Sequence, residues 1–163
     1  MALIDLFQAI ENAPLSVAFL GSDYAYAVVE GAHVIGLALS VGLLVIADLR
    51  LAGLYLRDEP VSESLEQLRP WIIAGFILML LTGLPLFAAK AAALAQKPIF
   101  LVKLAFIVLA GLNMALFEFR LGRRVRDWGA VAAPRWDARV AGAVSLVSWA
   151  VVILCGRLLA YGL

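Results

Sequence analysis

The chain is poor in the residues that most site chemistry uses. Its 163 residues include one cysteine and one histidine, and only 15% are charged. A single thiol, Cys155, excludes an intrachain disulfide and shows no zinc-site spacing. There is no Gly-rich phosphate loop, no Ser/His/Asp set and no paired-carboxylate motif with supporting context, so no catalytic motif marks an enzyme. A net charge of +1, with no broad basic face, argues against nucleic acid, whose phosphates must be neutralised. No Lys or Arg precedes the first apolar residues, so the start does not read as a secretory signal.

Apolar surface is present in excess. Hydrophobic residues make up 64% of the chain and the mean hydropathy is +0.99, well above the roughly 45–50% apolar content of ordinary soluble domains. The sequence predicts an all-α membrane protein, a four-transmembrane-helix bundle in a single domain over 1–163, with a short N-terminal amphipathic interfacial helix over 2–13. In that first helix Leu3, Leu6, Phe7 and Ile10 recur at helical spacing between Asp5, Gln8, Glu11 and Asn12, and Pro14 stops it. It is too short to span and is expected to lie in the interface.

A span needs about twenty apolar residues, and four stretches provide them: 24–56, 71–89, 99–119 and 140–162. Gly21-Ser22-Asp23 can cap the first. Val61 to Pro70 reads as a polar loop with room for a short helix, Lys90 to Pro98 as a short connection, and Gly83 with Pro85 predicts a kink. The pairs Ala32/Gly36 and Ala38/Gly42 allow close helix approach and make the first span the packed centre.

Arg50, Arg57, Arg69, Arg120, Arg123, Arg124, Arg126, Arg135 and Arg139 fall in the loops on one side, and only Lys90 and Lys97 on the other. The positive-inside rule then puts both termini on the periplasmic side of a bacterial inner (cytoplasmic) membrane.

At about 1.5 Å per residue, Lys103 lies about 6 Å, Arg157 about 8 Å, Glu30 about 9 Å and His33 about 14 Å from the outer ends of their spans. An unpaired charge at such depth costs at least ~2.5 kcal/mol, so partners are expected. Glu30 with Lys103 or Arg157 is the simplest pair. Glu30 and His33 share a helix face, joined by Tyr26. Tyr26, Glu30, His33, Lys103 and Arg157 are therefore the candidate binding residues, suited to haem b, copper or a quinone headgroup. A metal set of His33, Met79 and Cys155 offers imidazole, thioether and thiolate, which suit Cu(I), or haem iron through His and Met. One histidine supplies two axial imidazoles only across a symmetric dimer. The plainer alternatives stay open: Lys103 and Arg157 run their stems outward, and Met79 and Cys155 pack. On the other side, Asp48 and Glu118 are expected to form a salt-bridge belt with Arg50, Arg120, Arg123 and Arg124, with Asn113 as a stepping stone if a proton path exists.

These residues support a membrane subunit or accessory protein with a polar site around Glu30 and His33. A proton-coupled transporter or permease subunit is the first alternative, and a structural scaffold for a partner complex the second. The expected partners are the lipid bilayer and a homo-oligomer or larger membrane complex.

Four runs carry a resemblance: YAVVEGAHVIGLAL from Tyr26 to Leu39, ADLRLAGL from Ala47 to Leu54, KPIFLVKLAFIVLAGLNMALF from Lys97 to Phe117, and GRLLAY from Gly156 to Tyr161. With its VE-x-x-H and D-L-R-L motifs, the chain resembles a family of small bacterial four-helix inner-membrane proteins of unknown function. The resemblance implies Glu30, His33, Asp48, Arg50, Lys103 and Arg157 as the positions to watch. In that family a histidine often follows the Asn-x-x-x-Phe run of the third span, where this chain has Glu118.

Overall fold

The structure is a computed structural model and describes residues 2–55, 61–119 and 136–162. Among the described residues seven helices follow one another: α1 (Ala2–Glu11), α2 (Pro14–Leu20), α3 (Ala25–Leu51), α4 (Val61–Ala88), α5 (Ala91–Ala95), α6 (Pro98–Phe117) and α7 (Trp136–Ala160). Among the described residues there is no strand. Helices α3, α4, α6 and α7 are each long and apolar enough to cross a membrane, which makes this a multi-pass membrane protein. They run alternately up and down.

Local chemistry sets the helix limits. Ser22 Oγ accepts a hydrogen bond from the Ala25 N–H at 3.3 Å, at the start of α3. At its other end Gly53 takes φ 74°, the Gly53 N–H bonds the Arg50 carbonyl and the Leu54 N–H bonds the Leu49 carbonyl. That is a Schellman closure, whose left-handed position favours glycine. Pro14 ends one helix and begins the next, because proline's missing N–H costs nothing in a first turn. Helix α4 starts at Val61, ten residues before the expected Trp71, and continues through Pro70 and Pro85. Pro70 is exposed, where water can take up the carbonyl that its ring leaves without a donor. The connection after α4 holds the short α5.

Helix α3 is central, packed against both α4 and α7, while α6 lies against α7. Small residues set the crossings. A Cβ on Gly75 would stand 2.6 Å from the Ser40 nitrogen, one on Gly36 3.1 Å from Met79 Cγ, and one on Gly142 2.7 Å from the Asp48 carbonyl oxygen. Gly36 thus serves close approach as expected. Gly42 does not: a Cβ there would meet nothing within 4 Å. The core gathers Val41, Ala110, Trp149 and Val152, with Leu37, Leu44, Val45, Phe76 and Phe106 around them. Trp149 and Phe76 rings sit 5.1 Å apart. Ile77, Leu80, Val108, Leu112 and Leu154 are exposed, as lipid-facing side chains must be when the surrounding solvent is hydrocarbon.

The end of the bundle where α3 begins, here the near end, is covered by α1 and α2. Glu11 Oε2 accepts the Ala92 N–H at 2.8 Å, and Phe7 meets Phe87 edge-on at 5.9 Å. Phe87 in turn stacks on Phe100 at 5.5 Å. The apolar stripe of α1 thus finds aromatic partners on α4 and, through them, α6.

Candidate functional site

Helical spacing explains where polar groups collect. On α3, Leu37, Val41 and Leu44 face the Trp149 core, and Glu30, seven residues before Leu37, heads the same stripe. On α6, Lys103 precedes core members Phe106 and Ala110 by three and seven residues. On α7, Cys155 follows Val152 by three. On α4, Thr82 follows Gly75 by seven and Met79 by three, on the side turned to α3. The apolar stripes therefore become polar one or two turns toward the near end, leaving a polar layer above an apolar floor.

His33 is the best-held member. Its Nδ1 lies 2.9 Å from Thr82 Oγ1, and Thr82 Oγ1 donates to the Leu78 carbonyl at 2.6 Å. A hydroxyl has one proton. With that proton on Leu78, Thr82 accepts from His33 Nδ1–H and Nε2 keeps its lone pair; with the proton turned to the ring, Nδ1 accepts instead. A Cβ on Gly83 would stand 3.1 Å from His33 Cε1, so glycine there leaves room for the ring. Lys103 is close enough to couple electrostatically with both His33 and Cys155. Its Nζ would lie 3.7 Å from a Cβ on Gly156. His33, Thr82, Lys103 and buried Cys155 thus form one neighbourhood.

The other candidates are placed differently. Glu30 is exposed and forms no ion pair with Lys103 or Arg157; Arg69–Glu118 is the ion pair found among the described residues. Arg157 turns to its own helix, donating to Tyr161 Oη at 3.1 Å with its guanidinium 5.3 Å from that ring. Tyr26 packs on Phe19 at 5.7 Å, with Lys90 Nζ 5.1 Å from its ring centre. Met79 Sδ lies 3.0 Å from Ser40 Oγ, at the α3–α4 crossing rather than beside Cys155 on α7. Among the described residues no three His, Cys, Asp or Glu side chains come close enough to hold a metal.

Thr82 was not singled out in the sequence, although it is the only hydroxyl between Trp71 and Ala89 and so the one polar signal in that span. Beside the polar layer runs an apolar groove of about 260 Å³ lined by Val34, Leu37, Ala38, Val41, Gly42, Val45 and Ile153. Glu30, Val34, Ala38 and Gly42 are spaced by four and fall on one line of α3, so the groove continues downward from Glu30.

At the far end, Asp48 and Arg50 are buried, at 4% and 0% exposure, rather than ranged along the interface. The helix α3–α7 contact at Gly142 encloses Asp48. Glu118 pairs with Arg69. Arg57, Arg120, Arg123, Arg124, Arg126 and Arg135 lie outside the described residues. Asn113 Nδ2 donates to the Ala141 carbonyl at 2.9 Å, tying α6 to α7.

A family model described as a family of unknown function (DUF6644) matches residues 11–162. No curated protein and no solved structure matches the chain.

Proposed function

Starting from a chain that belongs to this family of unknown function, we propose that it is a small subunit or accessory protein of a bacterial inner membrane whose near-end polar layer binds a quinone headgroup on the periplasmic side. The observation that supports this reading is His33, oriented by Thr82 through Nδ1 and close enough to Lys103 to couple with it. A quinone carbonyl requires a donor, which the Lys103 ammonium supplies. A quinol hydroxyl requires an acceptor, which His33 Nε2 supplies. The groove from Val34 to Val45 is wholly apolar in its lining and suits an isoprenoid tail, with the headgroup held one turn above. Glu30, exposed at the mouth, is placed to exchange protons with water.

The test is to purify the protein in mild detergent, extract its lipids and titrate it with a short-chain quinone while following tryptophan fluorescence. Co-purifying quinone and saturable quenching are expected, with affinity reduced at least tenfold by His33→Ala. A preparation with no quinone and no saturable quenching would overturn the reading. A Soret band or stoichiometric copper would replace it with haem or copper binding.

A further inference from the structure

Toward the far end a second polar group is sealed within the bundle. Asp48 on α3 is 4% exposed, and Ser145 and Ser148 on α7 are 7% and 1% exposed. The Ser145 hydroxyl faces the Asp48 carboxyl, and Asp48 Oδ2 has no hydrogen-bond partner.

Two polar groups between the same helices are committed elsewhere. Ser148 Oγ donates to the Val144 carbonyl at 2.7 Å, and Asn113 to Ala141. The charged groups on the surrounding elements are Arg50 on α3, Asp137 and Arg139 on the first turn of α7, and the Arg69–Glu118 pair between α4 and the end of α6. Arg139 Nε donates to the Ala52 carbonyl at 3.2 Å. Arg50 lies about 200° around the helix from Asp48. Among the described residues no cation stands within ion-pair distance of the Asp48 carboxyl.

A carboxylate enclosed in a membrane-spanning bundle, with one oxygen that meets no donor, is strongly disfavoured against its neutral acid. A bound Na⁺ would need several oxygens around it, of which the Ser145 hydroxyl is one. A proton needs no such shell. We propose that Asp48 is a proton-binding site: Oδ2 holds a proton in the closed bundle, and that proton leaves when the α3–α7 contact at Gly142 parts and admits water. The site stands at the opposite end from His33 and does not depend on what binds there.

A hydrophobic carbodiimide tests this on the full chain in detergent or liposomes. It adds to a carboxylic acid by taking up the acid proton and rearranges to a stable N-acylurea, which peptide mass mapping locates. Labelling of Asp48 is expected in the wild-type protein, falling as pH rises. It is expected to be lost in Asp48→Asn and retained in His33→Ala, so failure of the quinone reading leaves this result intact. Infrared spectra of the wild-type protein supply a second measurement if Asp48→Asn does not fold: a protonated-acid carbonyl band that persists after Glu30→Gln. Absence of label on Asp48 at every pH, together with absence of that band, would overturn the proposal. Protection of Asp48 by Na⁺ at constant pH would also overturn it, in favour of a cation site.

Discussion

His33 on α3 and Thr82 on α4 share a hydrogen bond, Nδ1 to Oγ1 at 2.9 Å, and the same hydroxyl lies 2.6 Å from the Leu78 carbonyl. This one bond orients the ring and ties the two most closely packed spans.

Thr82→Val keeps the shape and removes the acceptor. Interhelical hydrogen bonds in membranes average about 0.6 kcal/mol and reach about 1.7 kcal/mol in double-mutant cycles. Thermal unfolding of Thr82→Val, His33→Ala and the double variant in one detergent should give a coupling in that range. Strict additivity would mean that the bond orients nothing.

Two glycines on neighbouring spans should respond with opposite signs. A Cβ on Gly75 would meet the Ser40 backbone at 2.6 Å, so Gly75→Ala should force α3 and α4 apart and cost about 1–3 kcal/mol. Gly42 has open space around its missing Cβ, and Gly42→Ala should gain about 0.5–1 kcal/mol from helix propensity alone. Denaturation midpoints of the two variants against wild type decide this.

Trp149 is 9% exposed and meets Phe76, the rings tilted by 43°, where the stripes of the bundle converge. Trp149→Ala should cost about 3–5 kcal/mol, the usual loss for emptying a large aromatic site. A loss below 1 kcal/mol in the same unfolding assay would show that the core is not organised around this ring.

The Arg69–Glu118 ion pair joins side chains that are 57% and 44% exposed. Water and salt screen such a pair, so Glu118→Gln should change stability by less than about 1 kcal/mol. A larger drop, insensitive to added salt, would contradict a solvated pair.

Glu11 fastens α1 to the near end through the Ala92 N–H. Glu11→Ala should leave the four spans folded while hydrogen exchange over residues 4–11 speeds up severalfold. Unchanged exchange would mean that the Phe7–Phe87 contact holds α1 without it.

The four spans and the amphipathic start were legible from the sequence because apolar content and period are local properties, and hydrocarbon demands both over about twenty residues. The Pro70 boundary was not, since proline ends a helix only where its orphaned carbonyl finds no water. The polar groups were partly legible: depth could be counted along each span, and His33 and Lys103 lie close enough to couple electrostatically. Their rotation about the helix axes could not. Glu30 and Arg157 lie at similar depths yet find no common partner, whereas Thr82 and Ser145, ordinary in sequence, hold the two most constrained side chains.

By itself the chain determined how many helices cross, where they lie and which carry polar atoms. Which of those atoms meet was decided by the contacts at Gly36, Gly75 and Gly142, which set how each helix is turned against its neighbour. The partners at those contacts stand tens of residues apart, and a rotation of one helix by a single position would exchange an inward-facing carboxyl for a lipid-facing one.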